Sequence, residues 1–443
     1  MGEITMDLRL VFQIPESGLT INGLIEGLKK GSSEIHGAIL STFMKALEEQ
    51  LIEHMVQKDP GRYRRNGYQS KPRHLRCSLG TIAYRFAQLI DQQEKRTLMP
   101  LVEVLSIPAY DHYLEDAMEP AIGLSVHVSY RRATREVERI QGQSMSHTTV
   151  HGRLQEFAHS HCPFGEMKAI PFRFLIVDGT KVHLQGPLGE DRGRAEMRWA
   201  LASSGPSGRF EPVGFWINTE WSEIREELNR RLDYDKLEVL FSDGGPGIEE
   251  NLLRAGMEHQ RCQWHGKRDF PYILYADGFI KPQHLPLIEK LQSIPAMNLT
   301  KTQLERLRPE DRPLVEQLAD KTQQGFERLL EALDEQRYPK ARSYIQNLIQ
   351  PVTTFLNWWL DRGEVIPLNT NAIESAFSQV SNRIKRVGKR WSERGLLNWL
   401  KVTFYKIFKP DLWSQMWRKN GMEFPRIKLI SLQVSYYWSG AST

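Results

Sequence analysis

Two short apolar runs, each followed by Asp-Gly, constrain the fold of this 443-residue chain more than any other feature. Phe172–Val177 leads into Asp178, and Leu237–Phe241 leads through Ser242 into Asp243. Such runs are typical of strands that are buried on both faces of a sheet. Ligands bind at the carboxyl ends of strands in α/β sheets, so we expect both aspartates to lie at a functional edge.

The region around these runs alternates strands with helices. Further strands are predicted at Met197–Ala202, Val213–Asn218 and His259–Trp264. Helices are predicted at Trp221–Leu232 and Ile248–Ala255, within an all-helical block over residues 280–362, and at Asn371–Arg386, where Thr370 or Asn369 would be the N-cap. The order strand, strand, strand, helix, strand, helix, strand, followed by the helical block, indicates an α/β fold.

The N-terminal part has a different pattern. It predicts a strand at Leu8–Ile14, a helix at Glu34–Gln57, a loop or linker at Tyr63–Arg76, and a strand followed by a helix at Cys77–Ile90. Pro163, Gly165 and Pro171 indicate a boundary before the α/β region.

Two further helices are predicted at Pro120–Ile140 and Ser146–Phe157, with Gly142 between them. They form either a plain helical hairpin or a DNA-binding helix-turn-helix. In the second case Val137 and Ile140 would pack the first helix. The side chains facing DNA would then be Ser146, His147, Thr148, His151 and Arg153.

Composition excludes several classes of protein. The three cysteines, Cys77, Cys162 and Cys262, are distant and odd in number, which favours a reducing compartment over a disulfide framework. The N-terminal residues lack the pattern of a signal peptide, and no apolar run approaches a membrane span. Residues 374–443 contain 13 Lys and Arg against four Asp and Glu, so a polyanionic partner is expected.

The aspartates suggest metal chemistry. Two carboxylates at one sheet edge repel each other unless they are protonated or neutralised by cations. Mg²⁺ and Mn²⁺ prefer such oxygen ligands. Glu374, near the start of the last long helix, is the best third ligand. The alternative is that each Asp-Gly is only a turn, as most are.

In this order, Asp178, Asp243, the helical block and Glu374 resemble the DDE transposases of prokaryotic insertion sequences, specifically the Mutator-like group. Arg261–His265 (RCQWH) resembles the Cys-x-x-His motif of that group, and Lys385–Gly395 (KRVGKRWSERG) resembles its basic stretch after the Glu. The resemblance extends from Pro171 to about Phe408, and its ordered set of motifs is more specific than any single motif.

The resemblance implies an RNase H-like mixed sheet with an all-helical insertion, preceded by an N-terminal α+β and helix-turn-helix region. The first Asp would lie on the first strand, the second just after the fourth, and the Glu on a late helix. Asp178, Asp243 and Glu374 would hold two Mg²⁺ or Mn²⁺ ions for cleavage at transposon ends and strand transfer into target DNA.

The resemblance also implies roles for other residues. His265 would lie near the scissile phosphate, with Cys262 and Trp264 as structural parts of the motif. Trp358 or Trp359 would stack on an unpaired base. Contacts with the phosphate backbone would come from Arg383, Lys385, Arg386, Lys389, Arg390 and Trp391. The partners would be double-stranded DNA, both terminal repeats and target, and further copies in a homodimer or larger assembly. The location would be the prokaryotic cytoplasm, at the nucleoid.

Each secondary motif has a second interpretation. Cys262 and His265 have metal-ligand spacing, and His159, His161 and Cys162 would have to complete a zinc site. Otherwise Cys262 is a buried strand-end residue beside a hydrogen-bonded His. The tryptophan pair on an amphipathic helix is more often core, and the basic residues could form a solvated face.

These interpretations divide the chain into six parts. They are an α+β region at 1–118, a DNA-binding segment at 119–165, the first part of the catalytic core at 166–279, the insertion at 280–365, the last part of the core at 366–410 and a tail at 411–443. Two alternative functions remain open. One is an RNase H-like nuclease without strand transfer, and the other is a domesticated transposase that regulates by binding DNA.

Overall fold

The computed structural model describes residues 20–107, 113–142, 144–185, 193–386 and 391–417. The predicted strand Leu8–Ile14, the predicted DNA contacts Lys389 and Arg390, and most of the predicted tail lie outside the described residues. In the part that is described, no helix has both the length and the apolar character needed to cross a membrane.

The N-terminal unit packs small sheets against one long helix, α1 (Ile21–Lys58). Its strands are β1 (Tyr63–Tyr68), β2 (Arg73–Cys77), β3 (Gly80–Tyr84), β4 (Ala87–Asp91) and β5 (Arg96–Leu98), followed by the short α2 (Pro100–Val104). Strands β1, β4 and β5 form an antiparallel sheet, and β2 and β3 form a hairpin. The predicted helix Glu34–Gln57 is confirmed within α1, whereas the loop predicted at Tyr63–Arg76 and the helix predicted within Cys77–Ile90 are wrong, because both segments form strands. Alternate residues of β2–β4 are buried, whereas β1 is largely exposed.

Three helices follow: α3 (Glu115–Ser125), α4 (Tyr130–Gln141) and α5 (His147–Ser160). The single helix predicted over Pro120–Ile140 is thus two helices. Gly142 ends α4 with a φ of 68°, as its predicted role as a helix breaker requires. Val137 is buried, but Ile140 is 68% exposed, so the prediction that Ile140 packs is wrong. The three helices share a hydrophobic core with one face of the central sheet.

The central sheet has five strands. They are β6 (Phe174–His183), β7 (Arg194–Ser203), β8 (Glu211–Ile217), β9 (Val239–Ser242) and β10 (Glu258–Arg261). Their spatial order is β10-β9-β6-β7-β8, with β6, β7 and β8 antiparallel and β9 and β10 parallel to β6. All five correspond to predicted strands. The fifth stops at Arg261 instead of Trp264, because the chain turns there into a helix.

Helices cover both faces of this sheet, which is why β6 is apolar at successive positions. Leu175 and Val177 face a core formed with α6 (Trp221–Arg231) and α7 (Ile248–Leu252). Phe174 and Ile176 face the core on the other side. The protein is therefore of the mixed α/β class.

The insertion forms a helical unit with its own hydrophobic core. Its helices are α8 (Gln263–Ala276), α9 (Lys281–Ser293), α10 (Lys301–Leu304), α11 (Arg312–Ala332) and α12 (Pro339–Arg362). The chain then returns to the sheet through α13 (Asn371–Ser381), α14 (Glu393–Thr403) and α15 (Pro410–Trp417). A single π-helical turn over Asn382–Arg386 extends α13, so the predicted helix through Arg386 is irregular at its end.

Candidate active site

Asp178 and Asp243 lie side by side on neighbouring parallel strands, Asp178 in the middle of β6 and Asp243 directly after β9. Because β6 continues to His183, the expectation that Asp178 ends its strand is wrong. Ile176 of β6 pairs with Phe241 of β9, and each aspartate follows two residues further along its strand. Asp178 pairs across the sheet with Trp199. The ring centroid of Trp199 lies 5.2 Å from that of Phe377 on α13. Directly opposite residues point to the same face, so Asp178 faces the layer that contains α13.

Asp178 has an unusual electrostatic environment. Its side chain is buried, and Oδ1 accepts a hydrogen bond of 2.7 Å from the backbone N–H of Gly179. Burial raises the pKa of Asp178 to about 7, and the charges of Asp243 and Glu374 add to the rise. A carboxyl group with this pKa is half protonated near neutral pH, so the site favours a positive charge beside it.

A tight turn presents Asp243. Its Oδ1 accepts a hydrogen bond of 2.8 Å from the N–H of Gly245. The hydroxyl of Ser242 accepts from the N–H of Gly244 and contacts Nε2 of the buried His259 at 2.8 Å. These contacts fix the turn that follows β9. The role of His259 was not predicted, because nothing in the sequence marks it as a partner of this turn.

Glu374 reaches the site from the first turn of α13. Its Oε1 accepts a hydrogen bond of 3.2 Å from Oγ1 of the buried Thr370, the residue at the N-cap. The same oxygen lies 4.0 Å from Nδ1 of His265. The predicted residues Asp178, Asp243, Glu374 and His265 are therefore brought to one place from β6, β9, α13 and α8.

Cys262 is the N-cap residue of α8, and His265 lies in the first turn of that helix. Both are buried. Burial alone would raise the pKa of Cys262, but its contacts with His265 and Thr370 outweigh burial and lower it. Burial likewise opposes the charged form of His265, whereas Cys262 raises the pKa of His265 above its usual value. Cys262 directly follows the last residue of β10 and is buried, as its second interpretation requires. It also begins α8, which orients both side chains.

Backbone hydrogen bonds join the segments that carry these residues. The N–H of Cys262 donates to the carbonyl of Ser242 at 2.9 Å, and the N–H of Gln263 donates to the carbonyl of Leu368 at 3.1 Å. The start of the insertion, the turn of Asp243 and the approach to α13 are thus held against one another.

Among the described residues, no group of three or more His, Cys, Asp or Glu side chains is already arranged to hold a metal ion. This finding supports neither a zinc site at Cys262 and His265 nor a metal site already formed by Asp178, Asp243 and Glu374. His161 instead stacks on Phe157, and the carbonyl of Cys162 accepts a hydrogen bond from the hydroxyl of Tyr405. An ion at the carboxylates would have oxygen ligands from Asp178 and Asp243, with Glu374 as the third.

The predicted DNA contacts after Glu374 fall into two groups. Arg383 and Trp391 are buried, with the guanidinium of Arg383 4.5 Å from the Trp391 ring, so their prediction as DNA contacts is wrong for this conformation. The π-helical turn carries Arg383 inward, and Trp391 lies in an isolated bridge with Leu184. Lys385 and Arg386 are exposed, and Nζ of Lys385 donates to Oγ1 of Thr180, two residues beyond Asp178.

The amino end of α5 is exposed at His147, Thr148 and His151. The hydroxyl of Ser146 accepts from the N–H of Thr149 as the N-cap, and the half-buried Arg153 pairs with Glu156. Sequence reasoning therefore placed the exposed residues of this helix correctly, and whether they contact DNA stays a prediction.

A basic region in the N-terminal unit was missed. Residues 60–90 contain seven Lys and Arg and no Asp or Glu. Arg64 and Arg65 lie on the exposed edge strand β1, whereas Arg62 pairs with Asp91. The run of basic residues was visible in the sequence. Because the segment was interpreted as a loop, no binding surface was predicted there.

Gly244 provides a test of the turn beside Asp243. It has a φ of +83°, and a Cβ atom there would overlap the guanidinium of Arg261, whose Nε donates to the carbonyl of Asp243. We expect Gly244→Ala to lower the free energy of unfolding by about 2 kcal/mol or more, from backbone strain and displacement of Arg261. Gly278→Ala is the control, since Gly278 has a φ of +93° and open space around it, and it should cost only about 1 kcal/mol. Equal losses in urea unfolding would contradict a role for Arg261.

Comparison with known proteins adds a family match. Residues 14–194 match the model of a family described as "Uncharacterised protein family (UPF0236)". The match includes Asp178 and ends before Asp243 and Glu374. A curated relative, "UPF0236 protein in vanSb 3'region" from Streptococcus gallolyticus, is 25% identical over 235 residues, which are 49% of this chain and 50% of the relative. The chain thus spans about half the length of the curated relative it matches. Neither description states an activity.

Proposed function

We propose that the protein is a DDE transposase that cleaves DNA at transposon ends and joins the freed 3′ ends to target DNA. The observation that carries the proposal is the meeting of Asp178 on β6, Asp243 after β9 and Glu374 on α13, where burial and the charges of the two other acids raise the pKa of Asp178. Such a cluster suits phosphoryl transfer, in which positive charge must be concentrated beside a phosphodiester.

The architecture supports the proposal. The chain order of the sheet strands and their spatial order, with the second and third strands antiparallel, agree with an RNase H-like core. Asp178 lies on the first of these strands, Asp243 follows the fourth, and Glu374 lies on a helix beyond the helical insertion. This is the arrangement that the resemblance to Mutator-like transposases implies.

The donor set fits a divalent cation. The ligands would be carboxylate oxygens, which suit Mg²⁺ and Mn²⁺. Burial, and then the charges of Asp243 and Glu374, raise the pKa of Asp178, and a cation beside these groups would favour the ionised form. Asp178, Asp243 and Glu374 would hold two such ions. When bound, they would supply a nucleophile at neutral pH and stabilise the leaving oxygen.

The chain's own residues position the reacting groups. In cleavage, a water oxygen forms a bond to phosphorus while the bond from phosphorus to the 3′ oxygen breaks, and that oxygen takes up a proton. In joining, the freed 3′-hydroxyl loses its proton and its oxygen bonds to the phosphorus of a target phosphodiester, while the bond from that phosphorus to the target's 3′ oxygen breaks and that oxygen takes up a proton. Glu374 is held by Thr370 and lies beside His265, so His265 is a positioning residue for this carboxylate.

DNA binding is expected on several exposed basic surfaces. Lys385 and Arg386 lie next to the carboxylates, where a phosphate backbone must pass. Arg64 and Arg65 provide a second surface on β1, and the amino end of α5 a third. We propose double-stranded DNA as the partner and a homodimer or larger assembly as the active form, in the cytoplasm of a prokaryote.

The test is an end-cleavage and joining assay with DNA carrying the element's own ends. Joined products should form with Mg²⁺, disappear with EDTA, and return when Mg²⁺ or Mn²⁺ is restored. DNA with scrambled ends is the control. Nicking without joining would instead establish a nuclease, and binding without cleavage under all these conditions would establish a DNA-binding regulator.

A further inference from the structure

Arg383 is a buried charge in the segment that follows the helix of Glu374. It is 3% exposed. Its Nε donates a hydrogen bond of 3.4 Å to the carbonyl of Ser125, the last residue of α3. Its Cζ lies 5.4 Å from the ring centroid of Tyr130, at the start of α4, and 4.5 Å from that of Trp391. Arg383 therefore joins the end of α13 to α3 and α4.

This burial calls for an explanation, because moving a guanidinium out of water costs free energy that an apolar side chain of similar size does not. Burial accordingly lowers the pKa of Arg383. By contrast, Trp358 and Trp359, which were expected to stack on an unpaired base, are apolar rings whose burial confirms that they are core residues. The charge of Arg383 indicates a requirement other than packing.

The π-helical turn directs Arg383 and Lys385 to different places. Whereas Arg383 contacts α3 and α4, Nζ of Lys385 donates to Oγ1 of Thr180 at 2.8 Å. Thr180 lies two residues beyond Asp178 on β6, so both side chains are on the same face of the sheet. Because a π turn holds one more residue than an α turn, it rotates the side chains that follow by about 100°. The turn thus brings Lys385 to the face that carries Asp178.

Trp391 ties the far side of this segment to the same strand. It is buried and forms an isolated bridge with Leu184, and its carbonyl accepts a hydrogen bond of 2.6 Å from the N–H of Gln185. Leu184 and Gln185 directly follow β6. Since the guanidinium of Arg383 lies over the Trp391 ring, one side chain contacts both the turn before Lys385 and the place where the chain returns to β6.

We propose that Arg383 is a positioning residue for Lys385. Its buried guanidinium fixes the π-helical turn against α3 and α4, and the turn holds the ammonium of Lys385 beside Asp178, where it contacts a phosphate of the bound strand. An ammonium group suits this task because it is a compact charge that binds phosphate oxygens from any direction. The contact with phosphate rests on the proposed function, whereas the placement of Lys385 does not.

Cross-linking tests the placement without DNA, metal or activity. Thr180→Cys with Lys385→Cys, in the full chain with the exposed Cys162 replaced by Ser, should be joined by a short bismaleimide. Mass spectrometry of the digested protein measures the yield. Arg383→Met in this background should lose most of the cross-link. Its melting temperature should be unchanged or higher, because an apolar side chain replaces a buried charge.

Arg231→Met is the matched control. The guanidinium of Arg231 also lies over two rings, those of Phe164 and Trp216, and burial also lowers its pKa. Arg231 ends α6, away from the turn after Glu374. Its substitution should leave the cross-link and the rate of DNA cleavage unchanged.

The cleavage assay tests the purpose of the placement. Arg383→Met and Lys385→Ala should each slow cleavage of DNA carrying the element's ends by about tenfold, the effect of one charge-assisted hydrogen bond. The double variant should also be slower by about tenfold and not by about a hundredfold, because both substitutions remove the same contact. Arg383→Lys should cleave at nearly the wild-type rate, since its ammonium can still donate to the carbonyl of Ser125.

The inference is overturned if Arg383→Met keeps the cross-link, or if the losses of the two single variants multiply in the double variant. If Arg383→Met does not fold, Arg383→Lys decides. It should keep both the cross-link and the rate, and slow cleavage with an intact cross-link would assign Arg383 another role. If the wild type cleaves no DNA while the cross-link depends on Arg383, the proposed function fails and the placement of Lys385 stands.

Discussion

Replacing Asp178 with Asn is expected to lower the rate of DNA cleavage and joining by at least about 10³-fold, while stabilising the metal-free protein at pH 8. The loss of rate follows from removing a carboxylate that would hold a catalytic cation, worth several kcal/mol in the transition state. Asp243→Asn should lose activity to a similar degree. The gain in stability follows from the environment of Asp178, which opposes its ionised form.

The pH range of that gain can be derived. The pKa of Asp178 is about 7 in the folded protein against a usual value of 3.8. Between these two pH values the folded state binds a proton that the unfolded state has lost, so stability falls as the pH rises from about 4 to 7. The full cost, on the order of 4 kcal/mol, is present only above about pH 7. Asn does not ionise and avoids this cost.

Thermal unfolding in EDTA between pH 4 and pH 8 measures the effect. The melting temperatures of wild type and Asp178→Asn should agree near pH 4 and separate as the pH rises. Glu238→Gln is the control of opposite sign, because Arg173 lowers the pKa of Glu238 and removing that charge should destabilise the fold. A wild-type melting temperature above that of Asp178→Asn at pH 8 would contradict the electrostatic account.

Trp358→Ala is expected to lower the free energy of unfolding by about 3–5 kcal/mol, as large-to-small core substitutions of this size do. Trp358 is 1% exposed, and its ring lies 6.1 Å from that of Phe174 in β6. Its indole N–H donates to Glu364, and the guanidinium of Arg362 stacks 3.9 Å from its ring centroid. The residue therefore joins the end of the insertion to the central sheet.

Urea unfolding measures this loss, with Trp264→Ala as the matched tryptophan control. Trp264 is half exposed, so its substitution should change stability by less than about 1 kcal/mol. A small loss for Trp358→Ala, or equal losses for the two variants, would show that Trp358 is not a core residue.

The central sheet could be predicted because its strands are buried on both faces. Such strands read as continuous apolar runs, and the polar residue at the end of each, Asp178 or Asp243, is then conspicuous. The helical insertion was also clear, since its apolar residues recur at helical spacing. Each of these two parts of the fold can thus be recognised from a local pattern of apolar residues.

The sheets of the N-terminal unit could not be predicted in the same way. Strand β1 is exposed at Arg64 and Arg65, and β3 and β4 are short, so their alternation covers few residues. In sequence, such short and charged strands resemble a loop.

The limits of prediction at the site have another cause. Whether Arg383 faces solvent or the core depends on a π-helical turn, and sequence periodicity does not reveal such a turn.

The two ends of the insertion lie together, since the N–H of Gln263 bonds to the carbonyl of Leu368. About one hundred residues therefore leave and re-enter the sheet at a single point. The entropic cost of closing a loop grows only slowly with its length. The length of the insertion therefore has little effect on the stability of the sheet. Variation can therefore enlarge, trim or exchange this module while Asp178, Asp243 and Glu374 keep their places.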